Sequence, residues 1–118
     1  MMDAIVKKYS VSLGSTRVIY ENGVSKVYFY GSNIAEVTDR TVRIRNCGYT
    51  TSTTKGRLNT ILLTLVDDTW IYQKNNVWYL RKPELPIVSG VPSAVPFPND
   101  EWVEFSNDFL LRSFENQD

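Results

Sequence analysis

The chain contains no histidine. That removes the side chain most often used as a general base near neutral pH, and the commonest metal ligand. Its one cysteine, Cys47, permits neither an internal disulfide nor a cysteine-rich metal site. A lone thiol suits a reducing, cytosolic compartment. No run approaches the roughly 18 to 20 apolar residues of a membrane span. Residues 1–10 lack the apolar core of a secretion signal. Thr53-Thr54-Lys55-Gly56 lacks the preceding glycine of a phosphate-binding P-loop. The acidic pairs Asp67-Asp68 and Asp100-Glu101 are adjacent in sequence, and adjacent side chains point apart on a strand or helix, so neither makes a catalytic dyad. These absences predict a protein that is not an enzyme, needs no cofactor or metal, and does not enter a membrane.

What is present describes a folded body. The 118 residues are 42% hydrophobic and 13% aromatic, with an ordinary 22% charged, which is enough for one domain with a modest core. Net charge is zero but unevenly spread. Through Lys82 there are twelve basic and six acidic residues, a balance of +6; from Pro83 onward there are one and seven, a balance of −6. Such asymmetry fits a basic binding body with an acidic tail, or two parts that attract each other in the fold.

The first half reads as strands. Lys7–Leu13, Thr16–Gly23, Val24–Gly31, Ile34–Asp39 and Thr41–Asn46 are rich in β-branched and aromatic residues or alternate in polarity. Asn22-Gly23 is a strong hairpin signal. Leu58, Ile61, Leu62 and Leu65 then recur at helical spacing, with Thr53 or Thr54 as the expected N-cap. Thr69–Lys74 and Val77–Lys82 form a second hairpin around Asn75-Asn76. The order predicts an α+β protein, with an antiparallel β-meander, one amphipathic helix and a β-hairpin over residues 1–82. All five prolines fall between Pro83 and Pro98, so residues 83–99 read as an extended connector. Residues 100–118 form an acidic aromatic segment. Burial of Trp102, Phe105, Phe109 and Phe114 is expected, on the body or as anchors on a partner.

Two features bear on binding. Arg43 and Arg45 alternate with Val42 and Ile44, so both cations belong on one sheet face, directed to solvent. Aromatic residues in the strands (Tyr28, Tyr30, Tyr72, Trp78 and Tyr79) could offer stacking surface there, although most are needed in the core. The second feature is Asn46–Asn59, NCGYTTSTTKGRLN, where a threonine-rich turn with Thr53, Thr54, Lys55 and Arg57 leads into the helix. Free N–H groups at a helix start, hydroxyls and cations together suit a phosphate oxygen. The same residues are also ordinary capping and surface residues. Cys47 is expected as a small buried hydrophobe beside the turn.

The same stretch resembles the signature of a family of short proteins common in bacteriophage genomes. The matching residues are Cys47, Gly48, Thr50, Thr53, Thr54, Lys55, Arg57, Leu58 and Asn59, with Tyr49 where tryptophan is usual. Gln73-Lys74 and Trp78-Tyr79 match the family's later positions, and the resemblance runs from Thr16 to Leu80. It implies a phage accessory protein acting in the host cytoplasm, and it assigns no catalytic or binding residues. The expected partner is a nucleic-acid backbone, held by the basic sheet face and the helix start. The alternative is a host bacterial protein, with Trp102, Phe105 and Phe109 as anchors. The sequence carries no signal for an oligomeric state.

Overall fold

The computed structural model describes residues 1–109; Phe114 and the rest of the last nine positions lie outside them. The chain opens with helix α1 (Met2–Lys7), and the strand expected from Lys7 begins only at Val11. Ala4 and Ile5 of α1 are buried, and the exposed pair Asp3 and Lys7 lies one turn apart, 3.1 Å between charged atoms. Each of these charges sits at the helix end its sign favours. A helix this short is below the length at which a 3.6-residue period can be read.

Five strands follow as a meander: β1 (Val11–Leu13), β2 (Thr16–Glu21), β3 (Val24–Phe29), β4 (Ser32–Val37) and β5 (Thr41–Ile44), each antiparallel to the last. Asn22 and Gly23 have φ of 54° and 80°, as a two-residue turn between twisted strands requires. Alternation sets the faces. In β3, Ser25, Val27 and Phe29 are buried while Val24, Lys26 and Tyr28 face outward.

Helix α2 (Ser52–Leu65) covers the inner face. Leu58, Ile61, Leu62 and Leu65 share one core with Val18, Val27, Ile34, Val42 and Ile44. Its N-cap is Thr51, not Thr53 or Thr54: the Thr51 hydroxyl accepts from the Thr54 N–H, 3.2 Å away. The threonine run offered several caps, and the choice fell to the one that lets Thr54 turn inward, where its own hydroxyl bonds Thr51 at 2.9 Å.

The second hairpin is β6 (Trp70–Lys74) and β7 (Val77–Arg81), turning at Asn75 and Asn76 with φ of 52° and 62°. It docks on α2 through Asn59, whose amide donates to the Ile71 carbonyl at 2.8 Å and accepts from the Ile71 N–H at 2.7 Å. One side chain thus satisfies β6 as a neighbouring strand would.

Strand pairing continues past Lys82. Strands β8 (Ile87–Val88) and β9 (Val91–Pro92) make a small hairpin, and β10 (Val95–Pro96) pairs with β7. Phe97 is buried, its ring against Trp78 at 5.9 Å. Strand β11 (Val103–Ser106) runs antiparallel to β5 and completes a six-stranded sheet in the order β1-β2-β3-β4-β5-β11.

Two glycines test this backbone. Gly23 has open space where a Cβ would stand, so Gly23→Val is opposed by its φ alone; a loss of about 1–2 kcal/mol is expected. Gly56 lies within α2, also with open space around it, so Gly56→Ala should gain about 0.5–1 kcal/mol. Urea denaturation checks both. A neutral Gly23→Val would contradict the positive-φ turn.

A candidate binding groove beside helix α2

The sheet's outer face is where a basic surface was expected. Its cross-strand row reads Lys26, Glu36, Arg43, Glu104, one residue from each of β3, β4, β5 and β11, so the charges alternate. Opposite charges on facing positions attract across the strands. Arg43 binds the Glu36 carboxylate with two guanidinium nitrogens, Nε at 2.9 Å and Nη2 closer, and the Asn33 amide donates to the same carboxylate at 2.9 Å. Burial works to raise the Glu36 pKa, but these hydrogen bonds and the Arg43 charge outweigh it and hold the group below its ordinary value of 4.5.

Trp102 covers the same two arginines. The guanidinium carbons of Arg43 and Arg45 each lie 4.3 Å from the centroid of its ring, within range for cation–π attraction. Arg45 also donates to the Asn33 carbonyl at 2.9 Å. Both arginines are half-buried rather than directed into solvent, because the C-terminal segment lies over them. Phe105 and Phe109 are packed against the core. The three aromatics proposed as partner anchors are thus all engaged within the chain.

The helix start is equally occupied. Arg57 donates from Nε to the Thr16 hydroxyl at 2.7 Å and lies over the Phe29 ring at 4.1 Å. Lys55 reaches Gln73 at 3.3 Å. Thr54 belongs to the cap, Leu58 to the core and Asn59 to β6. Thr53 is exposed. The signature stretch therefore acts first as the joint between sheet, helix and second hairpin. Just before it, Asn46 is buried and accepts two backbone N–H groups on Oδ1: Gly48 at 2.9 Å and, across the fold, Asp100 at 2.8 Å. Cys47 is half-buried rather than buried, at φ 53°, with its thiol 3.2 Å from the Asn33 carbonyl.

A cleft of about 560 Å³ opens beside this joint, lined by Phe29, Tyr30, Tyr49, Thr51, Thr53 and Arg57 among others. A shallower depression of about 950 Å³ continues from it across Tyr28, Arg17 and Ser12, and Tyr30 and Ser15 border both. Tyr30 is 80% exposed and Tyr49 57%. Among the described residues, no carboxylate lines either part. Among the described residues Arg17 forms no ion pair. Of the sequence-derived candidates, the fold brings Thr53, Thr54 and Arg57 to this groove, while Arg43 and Arg45 lie on the covered face and Lys55 turns to Gln73. Tyr49 and Arg17 were not singled out for binding. Tyr30 was placed in a strand, whereas it occupies the turn after β3. The signal for Tyr30 was Tyr30-Gly31 itself, a turn with a large aromatic where a small polar residue is usual.

A protein-family model matches residues 1–104, from α1 into β11: the Kyanoviridae Gp96 protein. The chain belongs to that family, a bacteriophage protein family. Comparison with curated proteins and with solved structures gives no match. No helix among the described residues is long and apolar enough to cross a membrane. Among the same residues, no three or more His, Cys, Asp or Glu side chains group to hold a metal ion.

Two outcomes follow from the geometry. The stabilisation carried by Glu36 is complete above pH 4.5 and is lost as pH falls through its lowered folded-state value. Glu36→Gln should therefore flatten the acid limb of stability against pH, measured by thermal melting between pH 2 and 6. Asn46→Ala leaves the Gly48 and Asp100 N–H groups without their acceptor and should destabilise by about 1–3 kcal/mol. Equal melting of Asn46→Ala and the parent would remove this residue from the frame.

Proposed function

We propose that this member of the Kyanoviridae Gp96 family is a non-catalytic phage accessory protein that binds nucleic acid in the host cytoplasm. The observation that carries the reading is the groove around Tyr30, which joins two arginines, three tyrosines and several hydroxyls, with no carboxylate in its lining among the described residues. Phosphate is attracted by such a lining, and base faces find aromatic rings in it. The covered face is the weaker candidate, because an anionic strand would have to displace Trp102 and compete with Glu36 for Arg43. The absence of histidine from the chain, and of any carboxylate in the groove among the described residues, supports binding without catalysis.

A second reading, binding of a host bacterial protein, is favoured by a different feature. The β8–β9 hairpin exposes Ile87, Val88 and Val91 to solvent, each by more than half. No charged residue lies between Glu84 and Asp100. The buried Arg81 guanidinium grips the hairpin's base, donating to the carbonyls of Leu85 at 3.0 Å and Ser93 at 2.7 Å. Solvent-facing aliphatic side chains on a held arm suit a protein contact.

The experiment is a pull-down from host lysate with and without nuclease, paired with titration of a labelled oligonucleotide at several salt concentrations. Nuclease-sensitive recovery is expected. Arg17→Ala should lower the slope of log affinity against log salt by about 0.7–0.9, the value of one phosphate contact. An unchanged slope together with tighter binding by Trp102→Ala would move the site to the Arg43 and Arg45 face. Nuclease-resistant recovery of one stoichiometric protein, lost in Val91→Asp, would favour the second reading.

A further inference from the structure

We infer that the groove takes a single strand rather than a duplex, with Tyr30 as the stacking platform for an unpaired base. The inference rests on the nucleic-acid reading above and narrows it. Tyr30 and Gly31 form the two-residue turn between β3 and β4, with φ of 48° and 81°. A bulky residue at positive φ is uncommon, and backbone strain of this kind tends to collect at functional positions. Among the described residues other than glycine with positive φ, Tyr30 alone carries an aromatic ring. Its N–H donates to the Ser15 carbonyl at 2.9 Å, so its backbone is pinned. The Phe29 ring braces it from one side, 4.7 Å between centroids and tilted by 54°. What projects is a ring held in place yet 80% exposed. In terms of the core this is a waste of apolar surface; in terms of a base it is a preformed stacking surface.

The surroundings fit one strand. Tyr49 lines the deeper compartment beside Tyr30, and Arg57 lies over Phe29 at its wall. Past Tyr30 the groove continues over Tyr28 and the exposed Arg17, which face each other across β2 and β3. A base against Tyr30 and Tyr49, and its neighbour toward Tyr28, leave the intervening phosphate near cations on both sides of the ring. Aromatic faces accept any base, so recognition is by strandedness more than by sequence. A duplex keeps its bases paired and stacked, and opening a step costs a few kcal/mol. It also asks for an extended row of cations, whereas the outer face beyond the groove alternates in sign from Lys26 to Glu104.

The test is fluorescence anisotropy of the full chain with labelled 12-mers at fixed salt: single-stranded DNA, single-stranded RNA and a DNA duplex. Single strands should bind at least about tenfold more tightly than the duplex, and the two single strands compared with each other show which sugar is preferred. Tyr30→Ala should weaken single-strand binding about 5- to 150-fold, the range of one lost base–aromatic stack. Tyr30→Phe should retain it. Circular dichroism melting of each variant reports whether the fold is kept. Equal binding of duplex and single strand, or an unaltered affinity in a folded Tyr30→Ala, overturns the inference while leaving nucleic-acid binding in place. No binding to any of the three probes would overturn both.

Discussion

The pairing of β11 with β5 is the constraint on which the rest of the molecule depends. It closes the sheet edge that the meander leaves open, and an uncovered edge is a template for unwanted pairing. The same docking sets Trp102 over Arg43 and Arg45 and brings the Asp100 N–H to Asn46. A few residues on, Asn107 bonds the turn between β4 and β5, through its N–H to Arg40 and its amide to Thr38. Asp108 then ties in the end of α2, donating to the Leu65 carbonyl and accepting from the Asp67 N–H. One short strand thereby joins sheet, turn and helix. Of the acidic residues in this segment, Glu104 stands in register beside Arg43 of β5.

The binding reading separates two roles that lie next to each other. Thr51, Thr54, Arg57 and Asn59 hold α2 to its neighbours with hydrogen bonds to one another, to Thr16 and to Ile71. The faces left for a ligand belong to Tyr30 and Tyr49, which project from turns on either side of that joint. A rigid joint with aromatic rings at its mouth is a reasonable scaffold for binding, since a platform that does not reorganise loses less on association.

Much of the fold was legible because its signals were local. Asn22-Gly23 and Asn75-Asn76 marked turns, β-branched and aromatic residues marked β2 and β3, alternation marked β5, and the spacing of Leu58, Ile61, Leu62 and Leu65 marked α2. Helix α1 was hidden by its length. Thr51 was hidden as one of five equivalent hydroxyl residues from Thr50 to Thr54, among which only tertiary packing of Thr54 decides. The proline-rich stretch gave no hint of β10 or of the burial of Phe97, because Pro96 can occupy a strand edge and the partner strand, β7, is remote in pattern terms. The groove was only partly visible. Thr53, Thr54 and Arg57 were within one recognisable run, but Arg17, Tyr30 and Tyr49 meet them through the sheet, a relation that no window along the sequence contains.

The remoteness of β11 from β5 also has a temporal side. Val103 pairs with Ile44, and everything between them, including α2 and the second hairpin, is interposed in the chain. During synthesis β5 emerges long before the strand that will cover it. Until β11 follows, that edge of β5 has no partner strand, and Arg43 and Arg45 have no Trp102 to lie beneath. Charged side chains along such an edge discourage pairing with other chains. The two arginines that the finished protein keeps under a tryptophan would thus act earlier as guards of the unfinished sheet, a duty that ends when the last strand arrives.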